Sequence, residues 1–164
     1  MTGGSGGVAM TDKSLYVSRR LLNGDDIRVW AKEQGFKSTL PKRHLHVTVL
    51  YSKKPMNWTR VPSDETKITV NGGKRDIKRF GDDGEAIVLT FSSEELSKRN
   101  SEFLAAGGSM DYDSYRGHIT ITYKDSEIDV DKVKPYTGEL VFGPEVYREI
   151  KESFEPEDDW EDLL

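Results

Sequence analysis

Two short stretches, HVTVLY at 46–51 and HITITY at 118–123, repeat one alternation of β-branched and hydrogen-bonding residues. Such alternation predicts strands, because successive side chains of a strand point to opposite faces. His46 and Thr48 then share one face and oppose Val47, Val49 and Tyr51, while His118 and Thr120 oppose Ile119, Ile121 and Tyr123 in the same way. Each strand has an apolar face that must be covered, which calls for a sheet packed against helices. The two copies stand nearly half a chain apart.

The rest of the chain has the same rhythm. LYVSR (15–19) predicts a strand, and NGDDIRVWAKEQGF (23–36) a helix capped by Asn23 or Asp25, with Ile27, Trp30 and Ala31 on one face and Gly35 ending it. KITVNGGKRDIKRF (67–80) predicts two strands joined in a tight turn around Asn71, Gly72 and Gly73, and EAIVLTF (85–91) another strand. Ser92 with Glu95 has the form of a capping box, opening a helix that runs to Ala106 and stops at Gly107. GELVF (138–142) predicts a last strand, with Pro144 breaking the run before VYREI. Each half therefore contains a strand, a helix and a strand that begins with His, and the expected class is α+β, antiparallel sheet with helices on its outer face. Residues 1–12 are expected to be a flexible glycine-rich lead-in, 13–150 a single domain and 151–164 an acidic tail.

Composition narrows the chemistry. There is no Cys, which removes disulfide frameworks, thiol nucleophiles and thiolate metal sites. The formal charge is −5, but the last fourteen residues hold seven acids and one base, so the body is close to neutral. A near-neutral body lacks the broad basic face that long nucleic acid demands, and leaves room for a small anion held in one pocket. No apolar run is long enough to span a bilayer and no signal peptide is evident, so a soluble, cytoplasmic protein without membrane contact is expected.

Two of the three histidines fall at equivalent positions of the repeat. Imidazole titrates near neutrality, so one ring can take a proton from a nucleophile while the other gives one to a leaving oxygen. A Thr hydroxyl two residues along the same face can donate to the non-bridging oxygens of a phosphate, where transition-state charge gathers. Zinc is the competing use, since His44-x-His46 with His118 could supply three ligands. The repeat argues against it: Arg116 stands at the offset equivalent to His44, so HxT is duplicated and HxH is not. No metal or other cofactor is expected, and His44 is read as a cleft-edge or surface residue.

The paired HxT motifs resemble those of the two-histidine phosphoesterase superfamily, whose bilobal, pseudo-twofold fold brings one HxT from each lobe to a central cleft. More narrowly, LYVSRRLLNGDDIRVWAKEQGF, HVTVLYSKKPMNW, YRGHITITY and FGPEVYREI are similar to the bacteriophage anti-CBASS phosphodiesterases, which destroy the cyclic di- and trinucleotide alarms bacteria make on infection. The resemblance implies a catalytic set of His46, Thr48, His118 and Thr120, with Tyr16 stacking on a nucleobase and Glu145 hydrogen-bonding a base edge. It implies a further aromatic from the middle of the chain, for which Phe80 and Trp58 are the candidates. The implied ligand is a cyclic di- or trinucleotide, with no obligate protein partner, met in the cytoplasm of the infected host. RNA-end 2′,3′-cyclic phosphodiesterase activity and a non-catalytic cyclic-nucleotide sponge are the alternative readings. Lys53 and Lys54, and a basic hairpin of Lys74, Arg75, Lys78 and Arg79, are candidates for drawing an anion in or covering it.

Overall fold

A computed structural model of the chain describes residues 12–81 and 84–150. The lead-in, apart from Asp12, and the acidic tail lie outside the described residues. The elements follow the order β1 (Asp12–Leu21), α1 (Gly24–Glu33), β2 (His46–Asn57), β3 (Ile68–Val70), β4 (Asp76–Phe80), β5 (Ala86–Phe91), α2 (Glu94–Ala105), β6 (Gly117–Thr122) and β7 (Leu140–Arg148). The expected duplication is present as β1-α1-β2 and β5-α2-β6.

All seven strands form one antiparallel sheet in the order β3-β7-β1-β2-β6-β5-β4. The two lobes meet at β2 and β6, which carry the two HxT motifs and are joined by the single ladder pair Val47–Ile119. Beneath the sheet runs one continuous core of Leu15, Val17, Ile27, Val49, Leu89, Phe103 and their neighbours. Phe91 of β5 and Phe142 of β7 stack at 5.6 Å and tie the lobes together.

The stretch 67–80 corrects the expected hairpin. β3 pairs with β7 at one edge of the sheet and β4 with β5 at the other. Gly72 and Gly73, at φ of 68° and 84°, turn a crossover and not a hairpin. That crossover constrains the shape of the molecule. Laid flat, six inter-strand steps would set the edges roughly 29 Å apart, yet the link from Val70 to Asp76 reaches at most about 20 Å. The sheet must curl until its edges come within that reach. Arg75 in the link is buried and donates to the Tyr136 carbonyl at 2.9 Å, so no basic hairpin is left to act as a lid.

Three smaller corrections have local causes. β7 continues through Pro144, because the missing N–H falls where the β1–β7 register shifts between Arg19 and Leu21. α2 is capped one residue later than expected, the Ser93 hydroxyl accepting from Leu96 N at 3.2 Å. Asn23 does stand before α1, but its side chain bonds Glu139 O and Val141 N, fastening the helix start to β7.

Candidate active site

The Val47–Ile119 pair sets the geometry. Carried one residue either way, the antiparallel register sets His46 beside Thr120 and Thr48 beside His118 on one face of the sheet. All four line one open cleft of about 1360 Å³. Their neighbours in the strands, Val47, Val49, Ile119 and Ile121, are fully buried on the opposite face and hold the strands rigid.

Each imidazole rests on the carbonyl two residues before it. His46 Nδ1 donates to His44 O at 2.9 Å, and His118 bonds the backbone of Arg116. A carbonyl can only accept, so His46 carries its proton on Nδ1 and turns Nε2 toward the cleft. His118 packs edge-on against Phe80, with ring centroids 5.3 Å apart. Burial pushes its pKa below the ordinary 6.5, opposed in part by the Arg116 carbonyl.

The sequence missed two residues of this site for one reason. In β2, Val17 pairs with Leu50 and Ser18 with Thr48, so Val49 is an extra residue. In β6, Ile87 pairs with Thr122 and Val88 with Thr120, leaving Ile121 extra. Both bulges fall three residues after the histidine. Each reverses the alternation beyond it, and Tyr51 and Tyr123, expected on the apolar face, line the cleft instead. The one available signal was that the two tyrosines recur at the same offset.

Lys53, Arg79 and Arg116 bring positive charge to the cleft, and Asp111 and Asp113 negative charge. The Arg79 guanidinium is anchored on the carbonyls of Gly84, Ser126 and Ile128. Residues 110–116 contribute one wall, fastened to β2 where Tyr115 Oη donates to Thr48 O at 2.7 Å. Burial pushes the Tyr115 hydroxyl well above its usual pKa, so it stays a donor. Phe80, 39% exposed, offers its ring to the cleft. Trp58 packs on Tyr147 and does not line it.

The surroundings of three further residues are as follows, and the cleft-edge or surface reading of His44 is corrected. Glu145 does not line the cleft: its carboxylate accepts from Arg99 Nε at 2.8 Å, Arg99 Nη2 at 2.5 Å and Asp64 N at 2.9 Å, with Arg19 3.6 Å away. Tyr16 lines the cleft, is 7% exposed, and sets its ring T-shaped against both His46 and Tyr51. His44 is 1% exposed and lies neither at the cleft edge nor on the surface. No group of three or more His, Cys, Asp or Glu side chains that could hold a metal occurs among the described residues.

Comparison with known proteins shows the family and the fold. The profile of the family described as anti-CBASS protein Acb1 matches residues 13–157. The chain belongs to the Acb1 family. An Acb1 protein of Sphingomonas paeninsulae is 46% identical over 151 residues, which are 88% of this chain and 24% of that protein. The Acb1 of Enterobacteria phage T4 is 27% identical over 152 residues, covering 92% of this chain and 93% of that one. The chain thus spans about a quarter of the length of the Sphingomonas relative and nearly all of the phage T4 one. Among solved structures, a phosphoesterase aligns with a TM-score of 0.54 at 13% identity, covering 83% of this chain and 87% of its own. E. coli LigT complexed with phosphate aligns with a TM-score of 0.53 at 12% identity, covering 86% and 96%. The Acb1 chain shares its fold with these phosphoesterases.

Proposed function

We propose that the chain is a metal-independent phosphodiesterase that cleaves 3′–5′ linkages of cyclic di- and trinucleotide signals and so disables CBASS defence in the bacterial cytoplasm. The observation that carries this reading is the Val47–Ile119 register, which sets two His-Thr pairs side by side in one cleft. Membership of the anti-CBASS Acb1 family supports the biological role. LigT, which has the same fold, has been crystallised with 3′-AMP and with ATP, in keeping with a nucleotide ligand.

In this mechanism one imidazole takes the proton of the ribose 2′-hydroxyl, whose oxygen attacks phosphorus. The P–O5′ bond breaks and the other imidazole protonates the departing 5′ oxygen, leaving a 2′,3′-cyclic phosphate. Thr48 and Thr120 donate to the non-bridging oxygens, while Lys53 and Arg116 lend positive charge. Phe80 offers a ring on which a base can stack.

A panel of cyclic di- and trinucleotides, with a 2′,3′-cyclic mononucleotide as control, incubated in chelator tests the reading. Wild type is expected to linearise the cyclic oligonucleotides, and His46→Ala and His118→Ala each to lose about 100-fold or more in rate. A 2′-deoxy analogue should resist cleavage. Binding without turnover would make the chain a sponge, and turnover of the mononucleotide alone would make it an RNA-end enzyme; either result overturns the proposal.

A further inference from the structure

We propose that Arg116 is a specificity-determining residue that grips a phosphate other than the one being cleaved, so that the cleft favours cyclic oligonucleotides over ligands with a single phosphate. This rests on the two-histidine reading above. Arg116 lines the cleft with its side chain half exposed. Its Nη2 donates to Thr90 Oγ1 at 3.3 Å and lies 3.6 Å from Asp76 Oδ2. Asp76 is also 3.9 Å from Lys74, so one carboxylate serves two cations and positive charge is left over. Among the described residues only Nη2 of the Arg116 guanidinium is engaged. One end of a planar fork is thus anchored, and the donors of Nη1 and Nε remain for an anion, which they suit in the two-pronged manner of arginine and phosphate.

The sheet decides which phosphate this is. His118, Thr90 and Asp76 stand opposite one another across β6, β5 and β4, while His46 lies on the other side, on β2. The anchored guanidinium therefore sits over β5, one strand spacing of about 4.8 Å beyond His118 as seen from His46. A phosphate reacting between the two imidazoles is on the near side of His118, and the next phosphate of the ring, one sugar further along, is carried toward Arg116. Phe80 stands on the same flank, its ring 5.3 Å from that of His118, where the base between the two phosphates can stack. A cleft of about 1360 Å³ exceeds what a single small ligand fills and has room for this second nucleotide. Arg79, the other arginine of the cleft, spends both Nη1 and Nη2 on carbonyls. In the first repeat the offset equivalent to Arg116 holds His44, which is buried and away from the cleft, so the grip is built into the second repeat alone.

Calorimetry with two uncut ligands tests the assignment. One is a 2′-deoxy cyclic dinucleotide, with two phosphates; the other is a linear 2′-deoxy dinucleoside monophosphate, with one. Arg116→Gln should weaken binding of the cyclic ligand about 10- to 100-fold, the worth of a hydrogen bond between charged groups, and leave the linear one almost unchanged. Arg116→Lys, which keeps the charge and loses the fork, should fall between Arg116→Gln and wild type. With a ribose cyclic dinucleotide, Arg116→Gln should raise KM and leave kcat nearly intact. Equal weakening of both ligands would assign Arg116 to the reacting phosphate, and no weakening of either would leave it only a tie between β6 and β4; each overturns the proposal. A wild type that binds the cyclic ligand but hydrolyses no nucleotide would defeat the proposed function, and the calorimetry would still decide the role of Arg116. A wild type that binds no cyclic dinucleotide overturns both.

Discussion

His118 is pressed against Phe80 and held below the ordinary histidine pKa by burial, so its folded form favours the neutral ring. The unfolded chain then binds a proton first as the pH falls through about 6.5, and stability declines from that point until the folded value is passed. Asp64 acts in a lower window. Hydrogen bonds from Thr66 hold its carboxylate at about 2, so its contribution is present above the ordinary carboxylate range and disappears as the pH approaches 2. Denaturant melts at pH 7.5, 6 and 5 should show the first decline in wild type and a smaller one in His118→Gln. Glu145 gives a second prediction at this scale. Its removal in Glu145→Ala takes away the two-pronged partner of Arg99, which keeps Glu102, while Arg19 keeps Asp64, and should cost about 1–3 kcal/mol of stability. KM for a cyclic nucleotide should not change at a temperature where the variant is folded, whereas a base-edge contact would make it rise. The sequence displayed the chemistry of these residues without their addresses: FGPE reads equally well as a cleft residue and as the partner of an arginine 46 positions away.

Secondary elements were legible wherever one period decided them. Ile27, Trp30 and Ala31 do face inward from α1, and both HxT stretches are strands. Partners were not legible, since nothing in KITVNGGKRDIKRF says that its two strands pair in opposite lobes. The bulges at Val49 and Ile121 were hidden as well, because period-2 reasoning assumes that no residue is skipped. The close fit at the start of β6 yields a prediction. A Cβ on Gly117 would lie 2.8 Å from the Phe91 ring, which the stack on Phe142 prevents from moving away. Gly117→Ala should therefore destabilise by about 1–3 kcal/mol and shift the strand carrying His118, cutting activity more than stability; thermal melts with turnover assays check both. Ser93→Ala is the contrasting variant. It should cost about 1 kcal/mol through the lost α2 cap and leave turnover unchanged.

On the scale of the molecule, the lobes share one sheet and one core, so they should melt together. Far- and near-UV circular dichroism are expected to report one coincident transition. Phe142→Ala, which empties the inter-lobe stack, should lower that single transition by about 3–5 kcal/mol and not split it in two. β4, β5, α2 and β6 follow one another along the chain as a block, set between β3 and the β7 that fills the gap separating β3 from β1. On the ribosome, β1 and β3 therefore emerge early with bare hydrogen-bonding edges and wait until residues 140–148 have been made before those edges are covered. A nascent chain stalled short of that point presents two open strand edges to its neighbours, which makes the synthesis of residues 71–148 the interval in which this fold most needs a chaperone.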